Sequence, residues 1–288
     1  MAYYSGTANS ITDLKTALLT HAQADGWVLT GDVLSKAGVY FRIQVVGAGM
    51  TCLGCTDNAV ANPAPNVVQI ISLAYPCNYE VFGFAQELYL VVKYDTEYFR
   101  WMAFGRSTVP GLPGTGAWCG ASFGTGDYDG LITISPGLED SYGRSSSALF
   151  WHAARASTAD ARGKNNWVHS GLDGNPWAHT VNTSIVPPAP STMLPLINIL
   201  PSAWNSESVL MPMREYKVRG SNKISLTADL EHARNLRIDN LTPGDILVIG
   251  VAKWKIFPWY KKNAAVRNAG YAVNHSGTYG WAIRYEGP

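Results

Sequence analysis

Residues 88–104 read LYLVVKYDTEYFRWMAF, two apolar runs separated by the polar triplet Asp95-Thr96-Glu97. The triplet predicts a turn between two antiparallel strands, Leu88–Tyr94 and Phe99–Phe104. Six aromatic side chains crowd this hairpin: Tyr89, Tyr94, Tyr98, Phe99, Trp101 and Phe104. Aromatic pairs across neighbouring strands each stabilise a hairpin by up to roughly 1 kcal/mol, so we interpret them as sheet packing. The alternative is a sugar-binding platform, because rings on a sheet face also stack on pyranose rings.

The chain before this hairpin begins with a predicted helix. Ser10 is a good N-cap, and Asp13 suits the positive end of a helix dipole. Apolar residues then recur at helical spacing until Gly26, namely Ile11, Leu14, Leu18 and Ala22. After Gly26 the period changes to two, which predicts strands. The expected strands are Trp27–Leu34, Val39–Val46, Val67–Leu73 and Tyr79–Phe84, the first two joined by a turn over Ser35–Gly38.

The length of the chain and one proline-rich stretch predict the domain organisation. A chain of 288 residues exceeds the usual span of one core, which favours two domains. The stiff, extended stretch Val186–Pro190 is the expected boundary. We expect an α+β fold, predominantly antiparallel β, with two β-rich domains, the first carrying the amphipathic helix. The expected parts are an N-terminal α+β domain over 1–125, an irregular Trp- and Gly-rich insertion or set of long loops over 126–186, and a C-terminal β-rich domain over 187–288.

Composition indicates a protein that is covered by neighbours. Charged residues make up 15% of the chain, against roughly 25% in an ordinary soluble domain. The ten Trp and fifteen Tyr belong to the residue types enriched in buried interfaces. The net charge is +1 and the longest basic run is Lys261-Lys262, so we expect no nucleic-acid partner.

The chain carries no pattern of a secretory signal after Met1 and no apolar stretch near the roughly 20 residues that span a bilayer. We therefore expect synthesis and folding in the cytoplasm, without membrane insertion. Four cysteines are present, of which Cys52 and Cys55 have the spacing of a zinc knuckle or redox motif but lack a second ligand pair. We expect buried thiols on strands; a metal site and redox chemistry are the alternatives.

A search for catalytic patterns finds little. The sequence has no H-E-x-x-H helix, and the glycines between Ser107 and Gly130 fit turns better than a phosphate cradle. A glycosidase needs only two carboxylates, so Glu139 and Asp140 with Asp127 or Asp129 stay open as a pair. His152, His169 and His179 stay open as metal ligands. We expect no catalytic residue, no cofactor and no metal.

The C-terminal region contains one unusual segment. Ile246–Val251 is a continuous apolar run that follows a turn at Thr242–Asp245. Aromatic and basic residues then interleave over Lys253–Lys262, around the strand-breaking Pro258. We predict a subunit interface formed by Trp254, Phe257, Trp259 and Tyr260, with neighbouring lysines as its polar rim, and expect Trp259→Ala to weaken assembly without affecting folding. Packing of these rings in the chain's own core is the alternative.

Both ends of the chain carry a resemblance to a known group of proteins. The C-terminal stretches are Ile238–Leu241, Lys253–Lys262 and His275–Tyr285, and the N-terminal ones are Met1–Gly6, Leu14-Lys15, Gly26-Trp27, Tyr94 and Tyr98–Gly105. They resemble virion structural proteins encoded among the tail genes of tailed bacteriophages. Roughly residues 125–185 lie outside the resemblance.

The resemblance implies a non-catalytic component of the tail tip, baseplate or neck, present in several copies and joined to other tail proteins. It places the protein in the virion tail and carries no catalytic residues over. One alternative is a carbohydrate- or receptor-binding module of the tail, in which Trp151, Trp167 and Trp177 stack on a host-surface glycan. A neck or head–tail connector component is a second alternative, and a cell-wall hydrolase is a third.

Overall fold

The computed structural model of the chain describes residues 1–122, 149–150, 166–174, 176–178, 209–219, 223–262 and 279–287. These residues form one α-helix and three antiparallel sheets, which confirms the expected fold class. The helix α1 spans Ile11–Ala24. The strands of the first half are β1 Ala2–Ala8, β2 Val28–Thr30, β3 Val33–Lys36, β4 Val39–Val46, β5 Gly49–Cys55, β6 Val68–Ile70, β7 Cys77–Gly83, β8 Glu87–Lys93, β9 Phe99–Arg106 and β10 Ala117–Ala121. The later strands are β11 Asn166–His169, β12 Trp177–Ala178, β13 Met211–Arg219, β14 Lys223–Arg237, β15 Ile246–Ile249, β16 Ala252–Pro258 and β17 Tyr279–Arg284.

Three sheets divide these strands. The N-terminal sheet has the order β2-β3-β4-β5-β6, the central sheet β1-β7-β8-β9-β10-β11-β12, and the C-terminal sheet β13-β14-β17-β16-β15. The aromatic hairpin of residues 88–104, formed by β8 and β9, lies at the middle of the central sheet.

Helix α1 forms as its sequence predicts. The hydroxyl of Ser10 accepts a hydrogen bond from the backbone N–H of Asp13 at 3.1 Å, which satisfies one of the free donors of the first turn. Leu14, Leu18 and Ala22 are buried on one face, against the N-terminal and central sheets. The helix ends at Ala24, and Gly26 follows with a φ of +86°, which a side chain would disfavour.

The N-terminal sheet differs from the prediction in one respect. The run Trp27–Leu34 contains two short strands, β2 and β3, which turn back on each other at Gly31-Asp32. Gly31 has a φ of +61°, the conformation that allows this tight reversal. The predicted turn between β3 and β4 is confirmed, because Lys36 pairs with Val39 around a two-residue loop.

The middle strands of the central sheet, β8 to β10, are buried on both faces. Leu88, Leu90 and Val92 of β8 point towards α1 and the N-terminal sheet, whereas Tyr89 and Val91 point towards the C-terminal sheet. Strands β9 and β10 alternate in the same way between these two hydrophobic clusters. Successive side chains of these strands alternate between the two cores. Most positions on both sides are therefore apolar or aromatic.

The domain boundaries stay a prediction, since Val186–Pro190 lies outside the described residues. Part of the segment expected to be irregular, 126–186, is described, and it contains β11 and β12, which extend the central sheet. Strand β1 lies where no strand was predicted, and β5 and β10 were expected only through the cysteines that they carry. One hydrophobic cluster contains residues of both the central and the C-terminal sheets, so these two sheets share a core.

A buried carboxylate connects these two sheets. Glu87 of β8 is 1% exposed and accepts hydrogen bonds from the Tyr89 hydroxyl at 2.8 Å and from the backbone N–H groups of Glu231 and His232 at 3.1 and 3.2 Å. Its Oε2 also lies 2.8 Å from Nδ1 of His232, whose ring stacks on Phe84. A buried charge is tolerated where it is fully hydrogen-bonded in this way.

Glu87→Ala should therefore destabilise the fold by more than about 3 kcal/mol, since it leaves several buried donors without an acceptor, each at a cost of about 1–3 kcal/mol. Chemical denaturation measures the free energy of unfolding. Glu231→Ala is the matched control, because Glu231 is an exposed carboxylate on β14, the strand that supplies the two backbone donors. Equal, small losses in both variants would show that the Glu87 network does not hold the two sheets together.

Candidate assembly surface

The aromatic residues of the segment Lys253–Lys262 divide between the two faces of the C-terminal sheet. Trp254 lies on the outer face and is 8% exposed, with the guanidinium carbons of Arg234 and Arg284 5.0 and 5.8 Å from its ring centre. Phe257 and Trp259 lie on the inner face, in the cluster shared with the central sheet. Pro258 ends strand β16.

Trp259 is part of a group of three indoles at the centre of this shared cluster. Its ring stacks on Trp281 with centroids 4.7 Å apart and planes 20° apart, and it lies 5.4 Å from Trp101 of the central sheet. Trp101 and Trp281 are 5.5 Å apart. The side chain of Trp259 is 0% exposed. Truncating it would therefore create a cavity between two sheets.

Tyr260 is the one half-exposed residue of the four. Its backbone carbonyl accepts a hydrogen bond from the N–H of Phe99 at 2.7 Å, and its ring lies 4.7 Å from the guanidinium carbon of Arg100. A further backbone bond joins the N–H of Lys262 to the carbonyl of Glu97 at 3.0 Å. The segment after β16 is thus tied to the turn between β8 and β9.

The subunit interface expected at these residues stays a prediction, but the full burial of Trp259 argues against the expectation that Trp259→Ala leaves folding intact. Trp259 and Phe257 are covered by residues of the same chain, so a second subunit could touch only what covers them. Two lysines of the expected polar rim are also used internally. Lys255 bonds to Glu80 at 2.5 Å, and Lys262 bonds to the carbonyl of Ile238.

Two of the three tryptophans considered for glycan stacking are also buried. Trp167 and Trp177 are each 2% exposed and belong to the cluster beneath the central sheet. Trp177 donates its Nε1–H to the carbonyl of Asn62 at 2.8 Å and packs directly over Gly54. A sugar could reach either ring only if the segments above it moved. Trp151 lies outside the described residues.

The cysteines are buried thiols on strands, as expected. Cys52 and Cys55 lie on β5, Cys77 on β7 and Cys119 on β10, and all four are free. Burial raises the pKa of Cys52, and it raises the pKa of Cys55 to about 11, so both stay protonated near neutrality. Within the described residues, no three His, Cys, Asp or Glu side chains come together as a metal site requires.

His169 is held by the backbone. The N–H of Thr115 donates to its Nδ1 at 3.0 Å, so that nitrogen carries no proton, and burial lowers the pKa of the ring. The other residues considered for metal or glycosidase chemistry lie outside the described residues, namely His152, His179, Asp127, Asp129, Glu139 and Asp140. Their roles stay untested. No helix in the described ranges is long and apolar enough to cross a membrane.

A cavity of about 590 Å³ lies between the turn of the central hairpin and the loop before β15. Its charged residues include Lys93, Glu97, Asp239 and Lys262. The carboxylate of Asp239 receives two bonds from Arg237, at 2.8 and 2.9 Å, and Lys262 is bonded to backbone carbonyls. These two groups therefore make contacts within the fold.

The two most exposed of the large apolar residues described lie on the β15–β16 hairpin. Val251, in the turn, is 97% exposed and Val248 65%, and Ile249 beside them is 50% exposed. β15 is the edge strand of the C-terminal sheet among the described strands, and its only strand neighbour there is β16. Sequence reasoning predicted the strand but missed its exposure. An apolar run of this length is equally typical of a buried strand. The turns on both sides of the run were the one signal that it lies at the surface.

No protein-family model and no curated protein sequence matches the chain. The assignment of a role therefore depends on the residues themselves.

Trp259→Ala should lower the free energy of unfolding by about 3–5 kcal/mol, as expected when a fully buried large ring is removed from a core. Denaturant unfolding of the purified protein measures it. Val251→Ala is the control and should change stability by no more than about 0.5 kcal/mol, because Val251 is exposed. A Trp259→Ala protein as stable as this control would contradict the packing of Trp259 in the core and favour a place at the surface.

Proposed function

We propose that this chain is a non-catalytic structural component of a tailed-bacteriophage virion. Its place is the tail tip or baseplate, where it assembles in several copies and joins neighbouring tail proteins. The resemblance of both ends of the sequence to tail-encoded virion proteins supports this role. The chain needs no cofactor for it and binds neither nucleic acid nor membrane.

The observation that carries the assembly role is the exposed apolar end of the C-terminal sheet. Four apolar residues there are more than 40% exposed, namely Ile246, Val248, Ile249 and Val251. Contiguous exposed apolar side chains mark surfaces that a partner covers. In a chain with few charges, they fit a building block whose surface is completed by its neighbours in the particle.

A carbohydrate- or receptor-binding module of the tail is the other candidate. It requires an aromatic face that is open to a sugar. Of the three rings considered for this role, Trp167 and Trp177 are covered by the chain itself. The burial of these rings favours the structural role over the glycan-binding one.

The proposal is tested on purified particles of the phage that encodes the chain. Quantitative mass spectrometry should find the chain in more than one copy per particle, and gold-labelled antibody should mark the end of the tail away from the head. Deleting the gene should leave particles without complete tails.

Absence of the chain from washed particles would overturn the proposal. Labelling at the junction of head and tail would keep the structural role and move the protein to the neck. Complete tails that no longer adsorb to cells would instead favour the receptor-binding alternative.

A further inference from the structure

The two edges of the C-terminal sheet differ in how they are protected. Strand β13, at one edge, carries Pro212 and three cationic residues, Arg214, Lys217 and Arg219, and its pairing with β14 is shifted at two irregularities. Proline, charges and bulges are the devices by which proteins stop an edge strand from pairing with another chain. Strand β15, at the other edge, reads Ile-Leu-Val-Ile and has none of them.

The pairing of β15 with β16 determines which residues of β15 direct their backbone N–H and C=O groups to the free edge. The N–H of Ile256 donates to the carbonyl of Asp245 at 3.0 Å, and β15 pairs with β16 without a shift from Ile246 to Ile249. Successive residues of a strand direct their N–H and C=O groups to opposite sides. Leu247 and Ile249 therefore face β16, whereas Ile246 and Val248 direct their N–H and C=O groups to the free edge.

We propose that β15 pairs antiparallel with β15 of a second copy of the chain, about a two-fold axis beside Leu247. Ile246 then lies opposite Val248 of the second copy, and each such pair exchanges two backbone hydrogen bonds. Leu247 faces its own counterpart as the non-hydrogen-bonded pair between them. This pairing rests on the proposed function, because assembly is what brings the copies together.

The chemistry of the edge favours a second copy over a different protein. An uncharged edge offers nothing to select a partner of opposite charge, but its side chains complement themselves across a two-fold axis. Ile246 and Val248, 43% and 65% exposed, would cover each other as a pair of β-branched side chains. The same patch then serves both copies, as in other two-fold interfaces.

The size of the edge predicts a weak contact. A stable interface buries about 800 Å² on each partner and uses roughly 20 to 30 residues a side. The edge and turn from Ile246 to Val251 supply about a quarter of that number. Pairing should thus be transient in dilute solution and persist where many copies are held together.

Cysteine cross-linking can trap this contact. Leu247→Cys places two thiols at a non-hydrogen-bonded pair, with Cα atoms about 4.5 Å apart, within the range that a disulfide spans. Val251→Cys is the matched control. Val251 is the more exposed of the two, so random collisions favour it, yet the proposed register separates its two copies by roughly 25 Å.

On mild oxidation of the purified protein at a series of concentrations, Leu247→Cys should form a linked dimer at least about tenfold faster than Val251→Cys. Adding Val248→Pro, which removes an edge N–H not used by β16, should reduce the rate to that of the control. If Leu247→Cys fails to fold, the double variant Ile246→Cys, Val248→Cys tests the same register at exposed positions.

Equal or faster cross-linking by Val251→Cys overturns the pairing, as does a rate that Val248→Pro leaves unchanged. The test of the pairing can be distinguished from the test of the proposed function. If the chain is found in particles but is not cross-linked through Leu247, only the pairing is contradicted. If it is cross-linked but absent from particles, only the virion role is contradicted.

Discussion

Burial of the central sheet on both faces is the constraint on which the rest of the structure depends. In β8 and β9, neighbouring side chains such as Tyr89 and Leu90 enter different cores, so no position of these strands is free to be polar without an internal partner. Each core needs its own cover. Helix α1 and the N-terminal sheet cover one face, and the C-terminal sheet covers the other. The exposed positions of this sheet lie instead on β1 and at the start of β7.

The charges at the contact between the central and C-terminal sheets show how the enclosed polar groups are accommodated. Glu87 is held by donors from both sheets, and Lys255 of β16 reaches Glu80 of β7 and the hydroxyl of Tyr3 of β1. Burial lowers the pKa of Lys255, but its bonds to Glu80 and Tyr3 more than reverse the effect, and the pKa is raised. Aromatic rings surround the ammonium group, among them Tyr285 at 5.3 Å. These directional contacts fix the position of one sheet on the other, which apolar packing alone would leave less defined.

Sequence reasoning predicted the elements with strong local signals. Helix α1 has a cap and a regular apolar spacing, and the β8–β9 hairpin has two long apolar runs around a polar turn, so both were predicted from their residues. The bounds of β10 were not predicted because its glycine and small residues resemble a loop, and β12 is too short to show any alternation. The burial of Trp259 could not be predicted for a different reason. The C-terminal sheet has a core on each side, and tertiary packing alone decides which ring enters which core.

The same arrangement leaves the apolar β15 edge exposed among the described residues, and in the proposed role neighbouring copies cover it. If the two cores on either side of the central sheet stabilise one fold, a substitution that destabilises one core must also destabilise the other. Hydrogen exchange of Trp281→Ala, followed by mass spectrometry, measures this directly. Protection should fall together, and by the same free energy, in peptides from β8, β16 and α1, although Trp281 lies in the cluster on the other side of the central sheet from the helix. Wild-type protection of α1 beside lost protection of β8 and β16 would contradict the interdependence of the two cores.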